Sequence, residues 1–311
     1  MQYVIGIDAG GTKTHALLAD EDGHVISEAL GPGANLSTAG ELAVEKTLHQ
    51  VIEDSMGDRE STPAVVGLGM AGADRPEDYR IVGGIMRRIA RNVRTVVAND
   101  ALVALVAGAG NGPGIVLIAG TGSIAFGRNS QNRAARAGGW GHILADEGSG
   151  YWIGRQALAA VMRESDGRGP ATALTPAVLT HLQLEKPIQI GPVVYSQGFP
   201  LASIAALAPL VGRAAEDGDR VSADIITRAS DELFLAAASV VRRLDMAQDA
   251  FPFLLSGGIF GLPSLAAEAT RRLPDLAPRA SVRRLLEPPA VGAVRLALGE
   301  LAGGVQLPQY I

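Results

Sequence analysis

The sequence predicts an α/β protein with a duplicated core, and three observations predict it. A glycine turn, Asp8-Ala9-Gly10-Gly11-Thr12-Lys13, sits where one apolar β-run ends and another begins. A second turn, Gly120-Thr121-Gly122-Ser123, repeats that setting in the later half. Strand-like and helix-like periodicities then alternate after each turn. The 311 residues are enough for about two domains.

Tyr3 to Ile7 alternates as a short strand, and His15 to Ala19 and His24 to Ala29 follow as a hairpin closed by Glu21-Asp22-Gly23. Thr38-Ala39-Gly40-Glu41 spells a capping box, and Val44, Leu48, Val51 and Ile52 recur at helical spacing, giving a helix to Ser55. Ala64 to Leu68 is the next strand. Pro76 suits the first position of a helix reaching Ala90, Arg94 to Ala98 is a strand, and a helix opens at Asn99. The first half therefore reads βββαβαβα.

The second half opens alike, with strand Gly114 to Ala119, the glycine turn, and strands Ile124 to Arg128 and Arg133 to Ala137. Helices follow over Tyr151 to Glu164, Leu201 to Ala215, and a long face through Ile226, Ala229, Leu233, Ala237, Val240 and Leu244. Strand Phe253 to Leu255, a helix after Pro263, strand Val282 to Leu285 and a last helix from Ala290 complete it. The stretch from Asp166 to Pro200 reads as an insertion or lid, and glycine-rich 108–114 as a hinge. These readings give domains of 1–113 and 114–311, the second with a helical insertion and a last helix free to cross back to the first.

Hydrophobic residues make up 47% of the chain, and the formal charge of −5 comes from interspersed signs without a basic stripe. The expected partners are small molecules, with no nucleic acid and no membrane surface. The absence of cysteine excludes disulfides, iron–sulfur clusters and zinc–thiolate sites. Met1 to Gly10 lacks signal-peptide character, and the longest apolar stretch, Ala101 to Ala109, is too short to span a membrane. A cytoplasmic location is expected.

Phosphate oxygens need backbone N–H donors at close range, and residues without Cβ let the chain approach. Both glycine turns suit that need, although the first is also an ordinary hairpin spelling. Asp8 ends its strand with a carboxylate facing the turn, beside donors from Gly11, Thr12 and Lys13, a set suited to Mg²⁺ with phosphates. Thr12 separates Gly11 from Lys13, so this is no Walker loop. Gly67-Leu68-Gly69-Met70-Ala71-Gly72 matches the dinucleotide fingerprint, but Ala73-Asp74-Arg75-Pro76 delays the helix and the expected downstream acid is missing. Those glycines read instead as a loop packed closely on a ligand.

Asn99-Asp100 supports two readings, a helix cap or a general base at a strand's C-terminal end, where a substrate hydroxyl would be deprotonated. Gly138-Gly139-Trp140-Gly141-His142 with Asp146-Glu147-Gly148-Ser149-Gly150 suits sugar recognition, with peptide groups and a carboxylate on hydroxyls and an indole on an apolar face. A metal site at His142, Asp146 and Glu147 is the alternative there, weakened by the lack of a second histidine. Ser256-Gly257-Gly258-Ile259-Phe260-Gly261 reads as a strand-to-helix turn able to seat adenosine.

In that order, Asp8 to Thr14, Val97-Ala98-Asn99-Asp100-Ala101, Ala119 to Ser123, Gly138 to Ser149 and Ser256-Gly257-Gly258 resemble the BadF/BadG/BcrA/BcrD ATPase family, and within it the N-acetylglucosamine kinase branch. The resemblance spans nearly the whole chain and implies two ribonuclease-H-like, actin-like ATPase domains closing on ATP and an amino sugar in a central cleft. It implies Asp8 as the Mg²⁺ residue and Asp100 as the base for the 6-hydroxyl. Gly10, Gly11, Thr12, Lys13, Gly120, Thr121 and Gly122 would serve the phosphates, and Gly257, Gly258 and Gly261 the adenosine. Asn35, Asp100, Ser123, Gly139, Trp140, Gly141 and Asp146 would line the sugar pocket. A homodimer is expected. Met70 to Asp74 lacks the serine some members present to the sugar. The family's activator branch holds its iron–sulfur cluster through cysteines, which this chain does not have. A glucosamine or N-acetylmuramate kinase, a nucleotide-driven activator and a sugar sensor remain alternatives.

Overall fold

The structure, a computed structural model, describes residues 2–73 and 75–311. Met1 and Asp74, the latter in the run that delays the helix after Gly72, lie outside them. Among the described residues no helix is long and apolar enough to cross a membrane.

The opening meander is β1 (Tyr3–Ala9), β2 (Lys13–Asp20) and β3 (Val25–Pro32), followed by a short α1 (Leu36–Ala39) and α2 (Glu41–Met56). Then come β4 (Val65–Met70), α3 (Pro76–Ile89), β5 (Arg94–Asn99) and α4 (Asp100–Ala109). The second half runs β6 (Gly114–Ala119), β7 (Ser123–Arg128), β8 (Arg133–Gly138), α5 (Gly150–Ser165), α6 (Leu174–Leu182), α7 (Ile190–Val194), α8 (Leu201–Ala205), α9 (Ala208–Glu216) and α10 (Arg220–Arg243). It ends with β9 (Pro252–Ser256), α11 (Pro263–Leu276), β10 (Ser281–Arg284), α12 (Pro289–Leu301) and β11 (Gln309–Tyr310).

Duplication is visible in the sheets. The first has the order β3-β2-β1-β4-β5, and the second repeats it as β8-β7-β6-β9-β10, with β11 added beside β8. The chain divides into two compact units, one of Met1–Val116, Phe126–Ala135 and Arg284–Ile311, the other of Leu117–Ala125 and Arg136–Arg283. The units interleave along the sequence, so a single cut at 113/114 does not describe them.

In the first unit, β1 runs antiparallel to β2 and parallel to β4, and β4 parallel to β5, so that Ala9, Met70 and Asn99 end three strands in one row. Side chains alternate across this sheet. Ile5, Ile7, Val66, Leu68 and Met70 join Val44, Leu48 and Val51 of α2 and Val82, Ile85 and Met86 of α3 in a buried core. Gly6 and Gly67, paired on the neighbouring strands, face α12 instead. A Cβ at Gly67 would overlap the Ala293 carbonyl oxygen, one at Gly6 would overlap the Val294 nitrogen, and one at Gly292 would overlap the Val103 carbonyl oxygen of α4. Helix α12 thus lies backbone to backbone on the sheet and on α4. Gly69 likewise leaves room for Val103. Gly67 and Gly69 are therefore packing positions inside a buried strand, which corrects their reading as a ligand loop. We expect Gly67→Ala to destabilise the protein by about 3 kcal/mol or more, because backbone atoms must move; urea unfolding measures it.

Other differences have local causes. Gly40, at φ 79°, caps α2 without a side-chain bond, and Thr38 sits in α1, so the capping box does not form. Pro209 starts a new helix, and the expected helix over 201–215 breaks into α8 and α9. The 166–200 stretch contains α6 and α7, and α6 packs on α5 and α9 with Leu174 and Val178 buried, so that part belongs to the helical layer of the second unit.

Candidate active site

In the first unit, the C-terminal row of β1, β4 and β5 is where a parallel sheet presents ligand-binding groups. Asp8 is the penultimate residue of β1, and Asp100 the first of α4, directly after β5. Asn99 supplies the cap, its Oδ1 accepting the Ala101 N–H at 2.8 Å, and Asp100 Oδ1 accepts the same N–H at 2.9 Å. Asn99 thus acts as the cap, and the Asp100 carboxylate stands beside it on the helix N-terminus.

Asp8 is partly buried, and its pKa is pushed up to about 7, first by desolvation, then by the Asp100 charge, against a lowering pull from Lys13. Lys13 compensates a carboxylate so placed only in part, and a divalent cation would supply the rest. Asp8 therefore fits the role of magnesium residue.

The first glycine turn is closed by Gly10 N–H donating to the Lys13 carbonyl at 3.0 Å, with Gly11, Thr12 and Lys13 exposed. The segment after β3 lies against it. Ala34 N–H donates to the Gly10 carbonyl at 3.0 Å, and a Cβ at Gly33 would come within 2.7 Å of the Gly11 carbonyl carbon. This brings Asn35 next to the turn. The place of Gly33 against this turn was not legible in the sequence, because its constraint arises from a partner distant in sequence. Also unforeseen are two guanidinium groups at the C-terminal end of α4. Buried Arg128 donates to the Gly110 and Gly112 carbonyls at 2.8 and 2.9 Å, and Arg295 to the Val106 carbonyl at 3.1 Å and to that of Ala107. They fasten the 108–114 passage and hold the helix that carries Asp100, with positive charge at the end where the dipole favours it.

In the second unit, Gly120 N–H donates to the Gly122 carbonyl at 2.9 Å, and the start of α5 is tied to the turn by Gly150 N–H on the Gly120 carbonyl at 2.8 Å and Tyr151 N–H on the Thr121 carbonyl at 3.2 Å. Ser123 donates its hydroxyl to the Glu147 carbonyl at 2.7 Å, and Gly139 N–H donates to the Ser123 carbonyl at 2.9 Å. Asp146 holds φ +64° and lies buried with a carboxylate oxygen 2.8 Å from where a Gly122 Cβ would stand. Desolvation raises its pKa, opposed by the Ser123 and Gly141 N–H groups it accepts and by His142. This one carboxylate joins the second turn to the glycine-rich loop. Trp140 is exposed and covered by the Arg136 guanidinium at 4.2 Å, and Gly141 opens to solvent. Among the described residues the only three-ligand cluster close enough for a metal is Asp20, Asp22 and His24, so His142, Asp146 and Glu147 are not brought together as one. Gly257, at φ 97°, abuts the Ala119 carbonyl, while Gly258 and Gly261 face open space.

The model of the BadF/BadG/BcrA/BcrD ATPase family matches residues 5–297. The chain belongs to this family. As a BadF/BadG/BcrA/BcrD member it is 36% identical over 305 residues to the N-acetylmuramic acid/N-acetylglucosamine kinase of Clostridium acetobutylicum, covering 96% of this chain and 99% of that one. The N-acetyl-D-glucosamine kinase of Dictyostelium discoideum is 32% identical over 312 residues, covering 96% and 98%. Among solved structures, a candidate N-acetylglucosamine kinase from Chromobacterium violaceum superposes with a TM-score of 0.76 at 27% identity, covering 96% and 99%.

Proposed function

We propose that this BadF/BadG/BcrA/BcrD ATPase transfers the γ-phosphoryl group of ATP to the 6-hydroxyl of N-acetylglucosamine. The observation that carries the reading is the pairing of Asp8 and Asp100 at the ends of parallel strands, in a chain matched over 96% of its length by amino-sugar kinases.

Asp100 accepts the proton of the 6-hydroxyl as that oxygen bonds to the γ-phosphorus. The bond to the bridging oxygen breaks, and ADP leaves with its electron pair. Such a transfer needs positioning and charge compensation more than covalent help from the protein. Asp8 would hold Mg²⁺ through water, which would offset phosphate charge. In the first unit Gly10, Gly11, Thr12 and Lys13 offer donors to phosphate, and Asn35 orients the sugar. In the second unit Gly120, Thr121 and Gly122 offer the matching donors, while Ser123, Gly139, Trp140, Gly141 and Asp146 serve the sugar. Gly258 and Gly261 leave a face for adenosine, with Gly257 fixing the turn beneath it. A cytoplasmic homodimer is the working state we infer, on the family resemblance and the need for ATP.

The test is ADP release over a panel of sugars. N-acetylglucosamine is expected to give a rate at least about tenfold above that of the sugar-free ATPase, and glucose a lower one. Sugar-independent hydrolysis would favour an activator and overturn the proposal.

A further inference from the structure

A groove of about 200 Å³ lies in the second unit beside Ser123, between the sheet and α10, and no step of the proposed transfer uses it. Its wall includes Leu233 and Leu235, with hydroxyls from Ser123 and Ser239, and two carboxylates, Glu147 and Glu232, stand on it. No basic side chain lines it. Among the described residues neither carboxylate is in an ion pair. One water needs only about 10–15 Å³ of such space, so the groove has room for an acetyl group.

We infer that this groove is an acidic subsite of the acceptor pocket, which admits neutral or cationic sugar substituents and turns away anionic ones. The inference rests on the proposed function, through the placing of the sugar against Ser123. Ser123 is the link: the proposed function sets it against the sugar, and it also lines the groove, where its hydroxyl donates to the Glu147 carbonyl. A substituent reaching past Ser123 meets an apolar wall, hydroxyls and two negative charges. An acyl group loses nothing there, an ammonium gains, and a carboxylate meets like charge from half-buried Glu147 and exposed Glu232, a juxtaposition that opposes binding and is screened by salt. Size is not the filter; charge is. The chain would therefore part from its Clostridium relative, an N-acetylmuramic acid/N-acetylglucosamine kinase, because N-acetylmuramic acid carries a carboxylate on its lactyl arm.

The experiment measures kcat and KM for N-acetylglucosamine, glucosamine and N-acetylmuramate in the full-length parent, Glu147→Gln, Glu232→Gln and the double variant, at low and high salt. In the parent, N-acetylmuramate is expected to fall at least about tenfold below N-acetylglucosamine in kcat/KM, mostly through KM. The variants raise that ratio about three- to tenfold, and salt narrows the gap. Parent activity on N-acetylmuramate equal to that on N-acetylglucosamine, or a ratio unmoved in the double variant, overturns the inference. If no sugar is phosphorylated, the kinase reading fails separately, and tryptophan-fluorescence titration decides the groove. Glucosamine binding more tightly than N-acetylmuramate, with the order lost in the double variant, sustains it; equal binding or none ends it.

Discussion

Asp100→Asn is expected to lower kcat at least about a hundredfold while leaving the KM for both substrates and the unfolding transition close to the parent. The amide keeps the shape of the side chain and an oxygen for the Ala101 N–H, and Asn99 remains as cap at 2.8 Å, so α4 keeps its start. What disappears is the basic oxygen and the negative charge. Loss of that charge from a helix N-terminus costs about 0.3–1 kcal/mol, and relief of the repulsion on Asp8 works the other way. Stability is therefore a poor explanation for any lost turnover in this variant. Turnover within about threefold of the parent would remove Asp100 from the role of base.

Much of the fold is written in local signals. Pro76 opens α3 and Asn99 caps α4 as expected, because a fixed φ and a short polar side chain act within one turn of chain. The strand order of both halves follows from repeating the same pattern. What was illegible depends on partners far away in sequence. Gly67-x-Gly69 has the same spelling whether a phosphate or a helix lies over it; only the return of α12 decides. Gly33, Arg128 and Arg295 gain their meaning from turns and carbonyls to which no spacing rule connects them. The α6–α7 segment was obscured because Pro187 and Gly191 interrupt its apolar period.

The site was legible as turns and carboxylates, less so as connections. The two turns are not equivalent. Asp8 stands two residues before Gly10, whereas Ile118 holds the corresponding place before Gly120. The second turn gains its carboxylate from the loop instead, through Asp146 against Gly122. Duplication thus left one turn with an acid of its own strand and gave the other a borrowed one, buried and held by backbone donors. Under the proposed function, that asymmetry would divide a turn that holds the metal from a turn that serves phosphate through its backbone donors.

Asp8→Asn is expected to cut turnover at least about a hundredfold and yet to stabilise the metal-free protein above neutral pH. The unfolded chain releases this proton near the ordinary carboxyl value of 3.8, the folded one near about 7. Between those values the folded form retains a proton that the unfolded form has lost, so stability falls as pH rises, and the full cost of the ionised carboxylate is reached above about pH 7. The amide never bears that charge. With allowance for the partial exposure of Asp8, the gain is on the order of 1–3 kcal/mol at pH 8 and vanishes toward pH 4. Urea unfolding of parent and variant in chelator across this range measures it. Added Mg²⁺ should then stabilise the parent and leave the variant unmoved, since a ligand stabilises only the form that binds it. A variant less stable than the parent at pH 8, or equally stabilised by Mg²⁺, would show that Asp8 is held for packing and not for a cation.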